Sequence, residues 1–220
     1  MKNFFSIVLV LLLNTLYSQS SETSFQMRTT NSDGEYLKYS EISGTPYLDK
    51  NFVVGKAACC SETMPMRYDI YANQIEYKKD DKVYILLKED PYSKIFFKDS
   101  GITFVLADID KNGTPIYLVL LNEGKEASLL KKLSVKIETS KGDGNGLSGR
   151  KGESSSFVLT APVYYLKIKD TYHPIKSLKD ISDLFPQKTE SNSSYLKANK
   201  VKFNREESLI KFISFLNGNL

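Results

Sequence analysis

Residues 66–78, MRYDIYANQIEYK, decide the fold, because apolar and polar side chains alternate along them with a period of two residues. This period is typical of β-strands that bury one face and leave the other in solvent. The alternation separates Met66, Tyr68, Ile70, Ile75 and Tyr77 from Arg67, Asp69, Tyr71, Gln74, Glu76 and Lys78. The stretch therefore predicts half-buried antiparallel strands.

The same pattern continues downstream and is interrupted by short polar turns. Further strands are predicted at 83–87, 94–98, 102–109, 115–122, 128–138 and 157–169. The turns contain Asp, Asn, Gly and Pro, which favour chain reversal. Strands that recur about every 8–12 residues with such turns predict a β-meander, either a curled sheet or a partly closed barrel.

The pattern becomes helical after Tyr172. Ser177 and Asp180 have the spacing of a capping box, which predicts a short helix that ends before Pro186. Residues 191–199 predict a second helix.

The last helix has the clearest pattern. Asn204, followed three residues later by Glu207, predicts its N-cap, and Gly218 predicts its end. Its apolar side consists of Leu209, Ile210, Phe212, Ile213, Phe215 and Leu216. So wide an apolar face must be buried. We expect it to dock on the sheet rather than on a membrane surface, because the polar side holds one Lys rather than a basic row.

Together these patterns predict an α+β protein, an antiparallel β-meander with two or three C-terminal helices packed on it. The chain divides into a signal peptide at 1–20, a polar leader at 21–43, an antiparallel β domain at 44–170 and a C-terminal helical segment at 171–220. Order is expected to begin near Gly44. The roughly 200 residues after the signal are enough to bury a sizeable core.

Residues 1–20, MKNFFSIVLVLLLNTLYSQS, have the pattern of an export signal. Lys2 precedes an apolar run that is shorter than the roughly 18 residues needed to cross a bilayer, and small polar residues follow the run. We therefore expect cleavage near Ser18, Gln19 and Ser20, no transmembrane segment in the mature chain, and a periplasmic or extracellular location.

The formal net charge of +4 is small for 220 residues. Proteins that bind nucleic acids usually carry a concentrated basic stripe, whereas the basic excess here falls on solvated positions near the C-terminus. We expect a protein or another envelope ligand as the partner, and no nucleic acid. Composition indicates no particular oligomeric state.

The only two cysteines, Cys59 and Cys60, are adjacent and end the run NFVVGKAACC at 51–60. On a strand they point to opposite faces, so we expect two structural thiols, at least one of them buried. A vicinal disulfide or an intermolecular bridge is the alternative, since exported proteins meet an oxidising environment. No Cys or His stands at a metal-ligand spacing nearby.

Two glycine-containing stretches resemble ligand motifs without meeting their requirements. Residues 144–149, GNGLSG, match G-x-G-x-x-G, but no strand–helix alternation surrounds them, so we predict a flexible loop at 140–156 that is a candidate for binding. Residues 108–113, DIDKNG, begin like a calcium loop, but Val119 stands where a bidentate Glu is required. We expect a hairpin turn at 108–113, with weak calcium binding as the alternative. No cofactor or metal site is predicted.

The chain offers few groups for catalysis. His173 is the only histidine, and neither a G-x-S-x-G elbow nor an H-E-x-x-H pair is present. A structural role for His173 is favoured over that of a catalytic base. Pairs of strand-borne carboxylates are an alternative, because such pairs meet in space and have no fixed spacing. We assign no catalytic residue, and the pattern identifies no ligand-binding residue.

Several segments of the mature chain resemble one group of proteins. They are Pro46-Tyr47-Leu48 with Phe52 and Gly55, Met66-Arg67-Tyr68-Asp69-Ile70-Tyr71 with Ile75-Glu76, Leu129-Leu130-Lys131-Lys132, and Leu184-Phe185-Pro186 with Tyr195, Lys200, Glu207 and Ile210. In them the chain resembles secreted proteins of Bacteroidetes-type bacteria, a group with no known activity, catalytic residues or cofactor. The resemblance covers most of the mature chain and implies export and this domain layout.

The sequence thus favours a non-catalytic exported protein of the bacterial envelope or exterior that binds a partner or ligand, through a sheet face or the 140–156 loop. The alternative is a secreted hydrolase that uses strand-borne carboxylates or His173. A solid core with a flat aromatic surface favours binding, whereas a concave pocket that joins two carboxylates favours catalysis.

Overall fold

The computed structural model describes residues 28–30, 36–109, 113–141 and 153–218. The predicted signal peptide, the 144–149 motif and the central residues of the 108–113 turn lie outside these ranges. The described strands are β1 (Arg28–Thr30), β2 (Tyr36–Lys38), β3 (Val53–Ala57), β4 (Met64–Asp69), β5 (Gln74–Lys79), β6 (Lys82–Ile85), β7 (Lys94–Phe97), β8 (Ile102–Ala107), β9 (Ile116–Asn122), β10 (Ser128–Lys132), β11 (Val135–Lys141), β12 (Glu153–Leu159), β13 (Val163–Ile168) and β14 (Thr171–Ile175). The described helices are α1 (Leu178–Leu184), α2 (Thr189–Ala198) and α3 (Glu206–Leu216).

Ten strands form one antiparallel sheet in the order β14-β13-β10-β9-β8-β7-β3-β4-β5-β6. The chain enters the sheet at β3, runs outward to the edge at β6, and returns to pair β7 with the other side of β3. From β7 it runs to the opposite edge at β14. The predicted α+β class is therefore confirmed, with a curled, unclosed antiparallel sheet followed by three helices in the described part of the chain.

The hairpin β11–β12 stands apart from the main sheet and divides two predicted strands. The strand expected at 128–138 is split between β10 and β11, and the one expected at 157–169 is split between β12 and β13. Pro162 lies in the second break, where its missing N–H prevents a continuous ladder. Across the base of the hairpin, the Ser134 carbonyl accepts from the N–H and the hydroxyl of Thr160 at 2.9 and 3.0 Å.

One face of the sheet carries the main core. The curled part of the sheet encloses Tyr68 and Phe104, which are at most 1% exposed, together with side chains from β3, β5, β7 and β9. On the same face, Leu129 of β10 packs against the helices. Leu121 contacts both clusters, so they form a continuous apolar layer. A smaller cluster around Leu118 lies on the opposite face.

Helix α3 docks on the sheet through its predicted apolar face. Its buried side chains, each at most 2% exposed, are Leu209, Phe212, Ile213 and Leu216. They join the cluster that includes Leu129 and Leu166, so the docking prediction is confirmed. No described helix is both long and apolar enough to cross a membrane.

The ends of the helices test the capping predictions. Ser177 and Asp180 form the expected capping box of α1, and Gly218 ends α3 with a φ of 73°. The prediction that Asn204 is the N-cap is wrong, because α3 begins at Glu206 and its N-cap residue is Arg205. The Arg205 N–H donates to the Lys202 carbonyl at 3.1 Å, which closes a turn just before the helix. This turn delays the start of the helix.

The last part of the predicted leader is packed on the sheet, so order begins before Gly44. Ile42 is 5% exposed, and the ring of Tyr39 lies 5.2 Å from that of Phe157. Ser43 exchanges backbone hydrogen bonds with β12, accepting from the Phe157 N–H at 2.9 Å. Residues 21–43 are mostly polar, so their composition did not indicate that a few side chains, such as Tyr39 and Ile42, pack on the rest of the protein.

The structure also differs from expectation at the cysteines. Strand β3 ends at Ala57, and Cys59 and Cys60 lie in the turn that follows, where the Cys60 N–H donates to the Ala57 carbonyl at 3.1 Å. The two cysteines are joined in a vicinal disulfide. The expectation of two structural thiols is therefore wrong, because a turn does not force adjacent side chains onto opposite faces as a strand does.

The curl of the sheet is held by Asn73 in the β4–β5 turn, whose φ is 50°. Its Oδ1 accepts from the Tyr117 N–H at 2.8 Å, and its Nδ2 donates to the Tyr117 carbonyl at 2.9 Å and to the Tyr68 hydroxyl at 2.6 Å. Because Lys131 pairs with Val119, β10 ends before it reaches Tyr117. Asn73 thus satisfies the N–H and the C=O of Tyr117, which β10 leaves unpaired.

Candidate functional site

Strands β4 and β5 bring two carboxylates together on the face opposite the main core. Tyr68 and Ile75 point into the core, so alternation places Arg67, Asp69 and Glu76 on the other side. We call Arg67, Asp69, Glu76, Tyr39 and Tyr47 the Asp69 cluster. The 66–78 pattern correctly predicted that the polar members of these strands share a face.

Asp69 is completely buried and hydrogen-bonded. Its Oδ2 accepts from the Tyr39 hydroxyl at 3.1 Å, and its Oδ1 accepts from the Ala72 N–H at 2.9 Å. Burial raises the pKa of Asp69 to about 6, and these hydrogen bonds oppose the rise. Burial and the neighbouring carboxylate likewise raise the pKa of Tyr39 above its usual range.

Glu76 is neutralised by Arg67. The guanidinium donates from Nε to Glu76 Oε2 at 2.7 Å, and Nη2 lies 2.7 Å from the same oxygen. The guanidinium also lies 3.8 Å from the ring centre of Tyr47 and 4.4 Å from that of Phe52. Glu76 is 5% exposed, so this ion pair is held in an apolar setting.

An aromatic lid covers Asp69. The ring of Tyr39 meets those of Tyr47, Tyr71 and Phe157 edge-on at centroid distances of 6.4, 6.0 and 5.2 Å. Tyr39 belongs to the predicted leader, Tyr47 lies between that leader and β3, Tyr71 lies in the β4–β5 turn, and Phe157 belongs to β12. Because Tyr39 bonds to Asp69 and Arg67 lies against the rings of Tyr47 and Phe52, the Asp69 cluster fixes the chain between Tyr39 and Phe52 to the sheet. The sequence did not predict that aromatic rings cover Asp69, because the rings come from segments that are distant along the chain.

The raised pKa of Asp69 predicts a specific dependence of stability on pH. Because the folded pKa, about 6, exceeds the ordinary 3.8, folding favours the protonated acid, and this contribution is lost as pH rises through 6. Relative to the Asp69→Asn variant, the native chain should therefore lose up to about 3 kcal/mol of unfolding free energy between about pH 4 and pH 7. Urea unfolding of both chains across this range measures the difference. Parallel pH profiles would contradict the prediction.

A second feature of this face is exposed, on the central strands β3 and β7. Ile95 and Phe97 point into the core, so Phe96 and Lys98 point outward, as do Val54 and Lys56. We call Val54, Lys56, Phe96 and Lys98 the Phe96 patch.

The Phe96 patch alternates apolar and basic groups. Phe96 stands opposite Lys56 in the ladder, and the Lys98 N–H donates to the Val54 carbonyl at 2.8 Å. Val54 is 39% exposed and Phe96 is 43% exposed, although both lie on interior strands of the sheet. The patch is bordered by the Asp69 cluster on β4 and β5 and by the apolar cluster that begins on β8. It is therefore an uncovered stretch of a face that is covered on both sides.

The other residues singled out in the sequence do not converge with these groups. His173 is half-buried in the edge strand β14, opposite Leu166, whereas β4 and β5 lie toward the other end of the sheet. The vicinal disulfide follows β3, with Cys59 exposed and Cys60 packed against the core. At 108–113 the flanking strands pair as expected of a hairpin, Ala107 opposite Ile116.

The described ranges contain a small groove beside α3 and no evident metal site. A groove of about 170 Å³ lies beside α3, well below the roughly 300 Å³ at which ligand pockets begin. Its lining residues are Tyr195, Asn199, Val201, Glu207, Ser208 and Lys211. Within the same ranges, no group of three or more His, Cys, Asp and Glu side chains is placed to hold a metal ion.

Comparison with protein-family models, with curated proteins and with solved structures finds no match to this chain.

Proposed function

We propose that this is an exported, non-catalytic protein that binds an acidic polysaccharide of the bacterial envelope or exterior through the Phe96 patch. The observation that carries the proposal is the exposure of Phe96 and Val54 between two lysines on interior strands. Exposed apolar side chains that are grouped, rather than scattered singly, favour an interaction surface. The export pattern of residues 1–20 supports a location where such polymers occur.

The chemistry of the Phe96 patch favours a glycan over a protein partner. Lysines are depleted at protein–protein interfaces, yet Lys56 and Lys98 are interleaved with the apolar side chains here. Ammonium groups attract the carboxylates of a uronic-acid polymer, and the apolar face of a sugar ring can lie on Phe96. An open surface also suits a long polymer, which needs no enclosing pocket.

Binding of purified chain from residue 21 to polygalacturonate tests the proposal, with neutral dextran, poly-glutamate and DNA as comparisons. We expect binding to polygalacturonate alone that weakens as salt rises, because exposed charges are screened. The Lys56→Glu/Lys98→Glu variant should bind at least about tenfold more weakly, and Phe96→Ser several-fold more weakly.

Lys197→Glu/Lys202→Glu is the matched control, because it makes the same change of net charge at two exposed lysines of the C-terminal helical segment, which packs on the opposite face of the sheet. It should leave binding unchanged. Equal binding of poly-glutamate or DNA would assign the surface to another class of polymer, and no binding of any acidic polymer would refute the proposal.

A hydrolase is the second candidate, and one observation favours it. Asp69, with its pKa of about 6, lies beside Tyr39 and Glu76, a combination of groups that acid–base catalysis uses. Against it, both carboxylates are buried and bonded internally. We expect no turnover on ester, peptide, phosphate and glycan substrates. Turnover that is lost in Asp69→Asn or His173→Ala, with folding retained, would establish the hydrolase instead.

A further inference from the structure

Within the described part of the chain, strand β6 pairs only with β5 and leaves its other edge unpaired. Asp80 and Asp81, with φ of 49° and 60°, form a two-residue turn that sets Lys79 opposite Lys82. The Leu86 N–H donates to the Ile75 carbonyl at 2.8 Å, so even-numbered residues of this strand direct their backbone groups toward β5. In an antiparallel ladder the alternate residues then direct theirs outward. Val83 and Ile85 therefore present N–H and C=O groups along the free edge.

Large apolar side chains accompany these backbone groups. Val83 is 41% exposed, Tyr84 is 39% exposed and Leu87 is 60% exposed. Tyr84 stacks on Tyr77 of β5 with ring centres 5.4 Å apart and planes inclined by 21°. The free edge thus combines unpaired backbone groups with the end of an aromatic stack.

We propose that β6 pairs antiparallel with β6 of a second copy of this chain, with the two Tyr84 residues facing each other at the dimer axis. In this register Val83 of one copy faces Ile85 of the other, and both direct their backbone groups toward the partner strand. The Tyr84 pair is a non-hydrogen-bonded pair, in which side chains approach most closely. It extends the Tyr77–Tyr84 stack across the interface.

Charge and turn geometry together favour this register over its neighbours. With Tyr84 at the axis, Lys82 faces Leu86 of the second copy, and Asp80 comes level with its Lys88. A shift in one direction sets Lys82 against Lys88, and like charges directly opposite are destabilising. A shift in the other direction requires Asp81, which lies in the left-handed turn, to join the ladder. The centred register avoids both problems, because its ladder needs only residues 82–86 and the attraction between Asp80 and Lys88 lies outside that ladder.

Analytical ultracentrifugation of the chain from residue 21, over a wide concentration range, tests the dimer. We expect a monomer–dimer equilibrium in the native chain. Val83→Pro should weaken it at least about tenfold, because proline removes an outward N–H, and should change the melting temperature little, because that N–H has no role in the β5–β6 ladder. Val83→Thr retains the donor and a β-branched side chain, so it should dimerise like the native chain.

Cysteine cross-linking tests the register itself. Tyr84→Cys should form an intermolecular disulfide under mild oxidation, because facing residues of a non-hydrogen-bonded pair have Cα atoms about 4.5 Å apart. Lys82→Cys, which the register removes from the axis, should not. The native cysteines are bonded to each other, and Lys82→Cys in the same background controls for exchange of an introduced thiol with that disulfide.

A chain that stays monomeric at every concentration would overturn the proposal. So would a dimer that Val83→Pro leaves intact, since another surface would then form it. A dimer in which Lys82→Cys cross-links instead of Tyr84→Cys would overturn the register. None of these results depends on polysaccharide binding by the Phe96 patch.

Discussion

Replacing Phe212 with Asp should unfold the protein, or lower its unfolding free energy by more than about 5 kcal/mol. Phe212 is 0% exposed and lies between the sheet and α2, with its ring 5.9 Å from that of Tyr195. The substitution removes a large apolar side chain and leaves a carboxylate without a partner in the apolar layer. Small domains typically have an unfolding free energy of only about 5–15 kcal/mol, so this loss is comparable to the total stability of the protein.

Circular dichroism and urea unfolding measure this effect, and Lys211→Asp on the same helix is the control. Lys211 is exposed, so introducing Asp there should change stability by less than about 1 kcal/mol. If Phe212→Asp does not fold, Phe212→Leu provides a measurable variant, with an expected loss of about 1–2 kcal/mol. An unchanged melting temperature in Phe212→Asp would show that α3 does not dock on the sheet in solution.

Replacing Asn73 with Gly should cost about 3 kcal/mol, because the exchange removes side-chain hydrogen bonds while the backbone keeps its positive φ. The lost bonds join Asn73 to both peptide groups of Tyr117 and to the Tyr68 hydroxyl. Tyr117 and Tyr68 are at most 1% exposed, so their polar groups gain little solvation in exchange. The midpoint of urea unfolding should fall accordingly.

Asp80→Gly is the matched control, since Asp80 also has a positive φ but lies in an exposed turn. It should change stability by less than about 1 kcal/mol. Equal effects of the two glycine substitutions would mean that backbone conformation, rather than the bridge to Tyr117, accounts for the loss.

Local periodicity predicted the parts of this structure that depend on neighbouring residues. The alternation in 66–78 identified β4, β5 and the face shared by Arg67, Asp69 and Glu76, and the helical pattern identified the buried face of α3. These predictions succeeded because an element with one buried face repeats its apolar residues with the period of its backbone, about 2 residues in a strand and about 3.6 in a helix.

Interactions between distant segments could not be read from the same pattern. Asn73 reaches a peptide 44 residues away, and nothing in its local sequence distinguishes it from an ordinary turn residue. The lid over Asp69 likewise combines Tyr39 with Phe157. In β7 the adjacent rings of Phe96 and Phe97 are 43% and 3% exposed, yet a short apolar run does not indicate which one faces outward.

The two edges of the sheet differ in a way that limits how copies can assemble. Lys169 and Asp170 join β13 to β14, and Ile168 faces Thr171, so Pro174 lies at a position that directs its backbone outward. Proline has no N–H, so the β14 edge lacks a donor that an added strand requires. Head-to-tail stacking of β6 on β14, the heterologous arrangement that grows into fibres, is thereby disfavoured. An isologous contact between two β6 strands uses up the open edge of both copies and ends growth at the dimer.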